Sequence, residues 1–150
     1  MITADTNIFV YNVDVDDLAK HRASAEIVDA LVARRAPIAL QVAGEFYSVL
    51  TRRLRRPPWQ SAQAARNLLA SFPIIAATRR STQRAFAEAA AGRFSFWDVN
   101  LLSAAEEGGC THMISEDMAD GERLGKIEIV HPFGKDGVSD RARILLFQRN

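Results

Sequence analysis

The sequence opens with Met1-Ile2-Thr3-Ala4-Asp5-Thr6-Asn7-Ile8-Phe9-Val10-Tyr11. Its first four residues form a short apolar run that ends at an acid, which predicts a buried strand followed directly by Asp5. In open α/β sheets, ligands bind beyond the carboxyl ends of the strands. We therefore expect the Asp5 side chain to lie at an edge of a sheet where a ligand can bind.

Helical and extended patterns alternate along the rest of the chain. Apolar spacing, capping residues and the Pro and Gly positions predict helices at 18–35, 41–53, 61–71, 82–91 and 97–107, and strands at 37–40, 73–75, 111–115 and 127–131. Strands that alternate with helices favour a parallel sheet covered on both faces. The sequence thus predicts a single α/β domain with three layers, α/β/α, around a mostly parallel central sheet.

The chain after Phe133 does not continue this alternation. Residues 134–140 have the composition of a linker, and residues 144–147 form a short apolar run. We predict a domain over residues 1–133 and a C-terminal tail over residues 134–150. Its apolar run would dock on the domain, join the sheet edge or meet a partner.

Composition excludes several classes of protein. The 150 residues suit one domain, and a hydrophobic content of 48% suffices for a core. The single cysteine rules out an internal disulfide and a Cys-rich zinc site. No segment approaches the roughly 20 apolar residues of a membrane span, and the opening residues lack a secretory pattern. We therefore expect a cytoplasmic protein that does not bind a membrane.

Four acids are predicted near one edge of the sheet. Asp5 and Asp117 each follow a strand, whereas Glu45 and Asp98 lie on helices beside the apolar face. A carboxylate that faces a core is costly unless it is paired or bound to a cation. Clustered carboxylates also repel one another, which raises at least one pKa, and a divalent cation removes that repulsion. Hard cations prefer oxygen ligands, so the pattern favours a metal site.

Each of these acids also has a simpler structural role open to it. Asp5 would cap a helix beginning at Thr6, and Glu45 would form an ion pair with Arg52 or Arg53. Asp98 would favour the start of a helix, and Asp117 would be a turn residue.

The segments that carry these acids resemble, in order and spacing, the motifs of the PIN-domain family, and within it the VapC-type toxins of bacterial toxin–antitoxin pairs. The similarity spans about residues 1 to 133. The segments are Met1 to Tyr11, Gln41-Val42-Ala43-Gly44-Glu45-Phe46-Tyr47, Phe96-Trp97-Asp98 followed by Leu101, Ala104 and Ala105, Ser115-Glu116-Asp117-Met118 with Gly121, and His131-Pro132-Phe133.

The resemblance implies a PIN-like fold and a metal-dependent endoribonuclease, the toxin of a type II toxin–antitoxin pair. In that family, metal-activated water hydrolyses RNA phosphodiesters. The implied catalytic and Mg²⁺- or Mn²⁺-binding residues are Asp5, Glu45, Asp98 and Asp117. Supporting roles fall to Asn7, expected to hydrogen-bond near Asp5, and to Ser115 and Glu116. Asp120 would be either a further acid or a turn residue.

The resemblance also implies partners. These are an RNA substrate, a cognate antitoxin protein and a second copy of the chain in a homodimer. Apolar residues of the helices at 41–53 and 61–71 are candidates for such interfaces, although the sequence does not separate them from ordinary core: Phe46, Tyr47, Leu68 and Leu69.

A basic cluster follows the helix that carries Glu45. Arg52, Arg53, Arg55 and Arg56 would contact RNA phosphates, or would simply form a solvated helix end. Trp59 nearby would stack on a base or belong to the core or an interface.

Two other functions also fit parts of the sequence, and one residue departs from the family pattern. A non-catalytic binding module with the PIN fold is the main alternative. An aspartyl-phosphate enzyme fits less well, because the haloacid-dehalogenase pattern needs a second acid where Asn7 stands. Asn100 departs from the family pattern, which has a small or apolar residue there, and this polar residue would alter helix packing near the site.

Overall fold

A computed structural model describes residues 1–148; the end of the predicted tail, residues 149–150, lies outside the described part. Helices and strands alternate along most of the chain. The elements are β1 (Ile2–Ala4), α1 (Thr6–Tyr11), α2 (Leu18–Ala33), β2 (Ile38–Ala39), α3 (Leu40–Arg52), α4 (Pro58–Ser71), β3 (Ile74–Ile75), α5 (Arg79–Ala90), α6 (Phe96–Glu107), β4 (His112–Ile114), β5 (Arg123–Leu124), β6 (Ile127–Val130), β7 (Phe133–Gly134), β8 (Gly137–Val138) and α7 (Asp140–Phe147).

The central sheet has the strand order β1-β4-β6-β5. The first three strands run parallel, with Ala4 beside Ile114 and Ile114 beside Val130, and β5 pairs antiparallel with β6 at one edge. Consecutive strand residues point to opposite faces, yet Met113 and Ile114 are both fully buried, so both faces are covered. The predicted three-layer α/β/α domain with a mostly parallel sheet is confirmed.

Helix ends follow local capping chemistry. The Asp17 side chain accepts a hydrogen bond from the Lys20 backbone N–H at 3.0 Å and begins α2. Ser95 caps α6, and residues 99–105 of that helix are all buried, so α6 lies in the core. The helix ends at a glycine pair in which Gly109 has φ +87°, a conformation that suits glycine.

Several short elements differ from the sequence prediction. The helix α1 has six residues, too few for apolar periodicity to reveal it. The predicted strands at 37–40 and 73–75 exist as β2 and β3, but they pair with each other outside the central sheet. Residues 133–138 form the hairpin β7–β8 rather than a linker. Lys135 and Asp136 form its two-residue turn, and Gly137, with φ +123°, begins β8.

The C-terminal segment packs on the domain. Leu146 of α7 is buried, and the Arg34 Nε donates a hydrogen bond to the Leu146 carbonyl oxygen at 2.7 Å. Ile144 and Phe147 of the same apolar run remain exposed. Within residues 1–148, no helix combines the length and the apolar character that crossing a membrane requires.

Candidate active site at the carboxyl edge of the sheet

The parallel register places the residues after β1 and β4 side by side. The Asp5 backbone N–H donates to the Ile114 carbonyl oxygen at 2.9 Å, and the Ser115 N–H donates to the Val130 oxygen at 3.1 Å. Because parallel strands end at the same edge, the side chains of Asp5 and Ser115 meet there.

The four predicted acids line one cleft of about 280 Å³ at this edge. They reach it from the end of β1, from α3, from the first turn of α6 and from the loop after β4. The lining residues are Asp5, Glu45, Asp98 and Asp117, together with Thr6, Asn7, Ser48 and Val49. Residues more than a hundred positions apart in the sequence thus share one small volume.

Asp5 is the most buried of the four, with 7% of its surface exposed. Its Oδ1 accepts from the Thr6 backbone N–H at 2.6 Å, and its Oδ2 accepts from the Ser115 hydroxyl at 2.9 Å. Burial raises its pKa from 3.8 to about 6, although these two hydrogen bonds oppose the rise. The nearby charges of Glu45 and Asp117 raise the pKa further.

Glu45 is held by neutral donors. The Thr6 hydroxyl donates to its Oε2 at 2.6 Å, and the Gln41 Nε2 donates to its Oε1 at 2.6 Å. The alternative ion pair with Arg52 or Arg53 is absent among the ion pairs of residues 1–148. Glu45 therefore brings an uncompensated negative charge to the cleft.

Asp98 and Asp117 complete the acidic lining. The Ser95 hydroxyl accepts from the Asp98 backbone N–H at 3.2 Å and donates to the Asp98 Oδ2 at 2.6 Å, so Asp98 also supports the start of α6. Burial raises the pKa of Asp117, and the charges of Glu116 and Asp98 add to this effect. Asp98 and Asp5 thus line the cleft and also begin helices, since Asp5 caps α1.

As the side chains stand, no three His, Cys, Asp or Glu residues in the described part of the chain are arranged to hold a metal ion. Each of the four acids accepts a hydrogen bond from a neutral donor, which orients its carboxylate without adding positive charge. The donor set still suits a hard cation, since it consists of oxygen atoms and none of the four acids pairs with a Lys or Arg of residues 1–148.

The three residues predicted to support the acids make different contacts in the structure. Asn7, expected to hydrogen-bond near Asp5, donates its amide to Asp117, which lines the same cleft as Asp5. Ser115 contacts Asp5 as described above. Glu116 points away from the cleft and pairs with Lys20 and with the Tyr11 hydroxyl, which donates at 2.7 Å.

Arg52 is the last residue of α3, and Arg53, Arg55 and Arg56 follow it. The half-buried Arg56 donates from its Nη2 to the Val13 carbonyl oxygen at 2.5 Å, and the Arg53 Nη2 lies 4.0 Å from the Asp14 Oδ2. Arg52, Arg53 and Arg55 are exposed. Trp59 is 72% exposed, so it does not belong to the core, and the roles of base stacking and of an interface remain.

Other polar groups have structural explanations. Asp120 accepts hydrogen bonds from the His131 backbone N–H at 2.9 Å and from Arg141 at 2.7 Å, which is a turn role.

Sequence reasoning assigned no role to Thr6, Gln41 or Ser95, all of which donate hydrogen bonds to the acids. Helical spacing could have revealed Gln41, which lies four residues before Glu45, and the Ser95-x-x-Asp98 pattern is a capping signal.

Two larger clefts, of about 430 and 480 Å³, lie elsewhere on the protein. The larger contains Glu106 and Glu107, but Glu106 pairs with Arg84, and Glu107 accepts from the Thr78 hydroxyl at 2.6 Å. Chemistry rather than size therefore singles out the acidic cleft.

No protein-family model and no curated protein matches the chain. Solved structures do resemble it. VapC20 of Mycobacterium tuberculosis, a toxin that cleaves the sarcin-ricin loop, superimposes with a TM-score of 0.58 and 19% identity, over 75% of this chain and 87% of the other. This chain has the VapC fold. A chain of VapBC2 from Rickettsia felis, solved with a DNA fragment from its promoter, gives a TM-score of 0.54 and 15% identity, over 77% and 88% of the two chains.

These likenesses confirm the VapC-type, PIN-like fold that the sequence motifs predicted. At identities below 20% they concern the fold alone. The assignment of activity to this VapC-like chain has to rest on its own side chains.

Proposed function

We propose that this chain is a metal-dependent endoribonuclease and the toxin of a type II toxin–antitoxin pair. The observation that carries the proposal is the meeting of Asp5, Glu45, Asp98 and Asp117 in one cleft, with no basic side chain of residues 1–148 paired to any of them. Such a concentration of negative charge at the edge of an α/β sheet is costly, and a bound divalent cation offsets the cost.

In this proposal the four acids hold Mg²⁺ or Mn²⁺ at the cleft. A bound divalent ion makes water a stronger nucleophile at neutral pH and offsets negative charge on the phosphate. Asp5 is mostly ionised at pH 7 because its pKa is about 6, so it is available as a ligand. Ser115 and Thr6 orient Asp5, and Asn7 orients Asp117.

Binding of RNA requires positive charge near an otherwise acidic cleft. Arg52 lies one helical turn beyond Ser48, which lines the cleft, and Arg55 follows it with an exposed side chain. Arg53 is near enough for its charge to lower the pKa of Asp117. We assign these residues to contacts with phosphates, which supply affinity without reading sequence. The anchored Arg56 would hold the cluster in place.

The test is cleavage of labelled RNA by the purified protein with Mg²⁺ or Mn²⁺, compared with EDTA. Asp98→Asn should abolish most of the activity. Asp29→Asn, an exposed acid on α2, is the matched control and should cleave like the wild type. Cleavage that persists in EDTA, or that is equal in the Asp98→Asn variant, would contradict the enzyme. Specific RNA binding without cleavage would instead favour the alternative, a non-catalytic binding module with the same fold.

The remaining parts of the proposal concern partners and location. VapBC2 of Rickettsia felis was solved bound to a DNA fragment from their promoter, and by this analogy we assign a cognate antitoxin to this chain. A homodimeric state and a cytoplasmic location are further parts of the proposal, and they rest on the resemblance of the sequence motifs alone. Phe46 is a core residue and Leu68 packs against the core, which leaves Tyr47 and the half-buried Leu69 for an interface. A short antitoxin-like reading frame beside the gene would support the toxin assignment.

A further inference from the structure

A chain of hydrogen bonds runs from α5 through α6 to Glu45 on α3. The Thr82 hydroxyl lies 3.4 Å from the Asn100 Oδ1, and the Asn100 Nδ2 donates to the Gln41 Oε1 at 2.8 Å. The Gln41 Nε2 then donates to the Glu45 Oε1 at 2.6 Å. Asn100 is the residue at which the sequence departs from the expected small or apolar pattern. It is 7% exposed and forms the middle link of this series of hydrogen bonds.

The direction of the bonds is set at each amide. Because the Asn100 Nδ2 donates to the oxygen of Gln41, the NH₂ group of Gln41 must face the other way, toward Glu45. The same NH₂ group donates to the Trp97 carbonyl oxygen at 3.0 Å, next to Asp98 in the first turn of α6. Gln41 therefore links the helix that carries Glu45 to the helix that carries Asp98.

We propose that Asn100 and Gln41 are positioning residues, which hold the Glu45 carboxylate and its place relative to Asp98 in the cleft where the divalent cation would bind. Asn100 acts through Gln41 by fixing the orientation of its amide. In this series of hydrogen bonds each donor points toward Glu45, and hydrogen bonds aligned in this way strengthen one another. The inference rests on the proposed function, since it assigns these two amides to the same metal site.

The experiment measures binding of Mn²⁺ alone to the metal-free, full-length protein by titration calorimetry. Gln41→Met removes the donor to Glu45 while keeping an unbranched side chain at a half-buried position, and Asn100→Leu removes the group that orients Gln41. Ser103→Ala is the matched control, because the Ser103 hydroxyl is also buried on α6 but makes no hydrogen bond within residues 1–148. Thermal unfolding of each variant reports whether it is folded.

Each single variant should bind Mn²⁺ roughly 10- to 100-fold more weakly, as is typical when groups that orient metal ligands are removed. The double variant should bind no more weakly than Gln41→Met alone, because Asn100 has nothing left to orient. A merely structural role for Asn100 would instead give losses that multiply. If Asn100→Leu does not fold, Gln41→Met still tests the link to Glu45.

Unchanged Mn²⁺ affinity in folded single variants, or multiplied losses in the double variant, would overturn the positioning role while leaving the proposed function intact. A wild-type protein that binds no Mn²⁺ would refute the metal-dependent function, and this inference with it. Ser103→Ala binding like the wild type is required for the assignment to these two amides.

Discussion

Replacing Asp5 by Asn should stabilise the metal-free protein at neutral pH, even though it removes a residue of the proposed active site. The folded state raises the pKa of Asp5 from 3.8 to about 6, chiefly through burial. A carboxyl group with a raised pKa contributes stability below pH 3.8 and loses that contribution as the pH rises through about 6. The ionised carboxylate at pH 7.5 therefore lowers the free energy of unfolding.

The size of the effect follows from the two pKa values. Each pKa unit corresponds to about 1.4 kcal/mol, so the rise in the pKa of Asp5 on folding lowers the free energy of unfolding by about 3 kcal/mol in total. About 2 kcal/mol of it falls between pH 4.5 and pH 7.5. Asparagine keeps the local geometry, since its oxygen can accept from the Thr6 N–H, its amide can donate to the Ser115 hydroxyl, and it is a good helix cap.

The assay is unfolding in EDTA at the two pH values. Relative to the wild type, Asp5→Asn should gain about 2 kcal/mol on going from pH 4.5 to pH 7.5, or roughly 4–8 °C in Tm for a chain of this size. The control Asp29→Asn should show no such change, because Asp29 is exposed. A relative stability of Asp5→Asn that is equal at both pH values would refute the electrostatic reasoning.

Adding Mn²⁺ should reverse the order of stability. A ligand present at a hundredfold excess over its Kd stabilises the folded state by about 2.7 kcal/mol. The wild type should gain this stability at pH 7.5, whereas Asp5→Asn should gain much less because it lacks one of the proposed ligands.

Three further outcomes are expected. Ser95→Ala removes the cap of α6 that contacts Asp98 and should lower the free energy of unfolding by about 1 kcal/mol in urea titrations; no loss would contradict the capping role. Ile129→Ala, at a fully buried position of β6, should cost about 2–5 kcal/mol in the same assay, and a smaller loss would show that the core collapses around the cavity. Combined Arg52→Ala and Arg55→Ala should weaken RNA binding and reduce the dependence of log K on log salt by roughly 0.7 per lost phosphate contact on single strands; an unchanged slope would exclude both residues from the interface.

Local patterns in the sequence were sufficient to predict the main helices and the strands of the parallel sheet. The run before Asp5 and the cap at Asp17 act through neighbouring residues, so periodicity and capping reveal them. Very short elements were harder to predict, because they contain too few residues to show a period. The strand β5 was missed, and α1 was indicated only by the alternative in which Asp5 caps a helix beginning at Thr6. The hairpin at 133–138 was missed because its two strands have only two residues each and its composition resembles that of a linker.

The sequence by itself determined the class of fold, because buried strands and amphipathic helices leave a local pattern. It also predicted four candidate acids, two after strands and two on helices, which the structure brings to one cleft. The tertiary structure alone decided how those acids are held. Whether Asn7 bonds to Asp5 or to Asp117, and whether Asn100 and Gln41 reach Glu45, depends on packing between elements that are far apart in the chain. Hydrogen bonds of this kind extend only about 3 Å, so no regularity of spacing along the sequence encodes them.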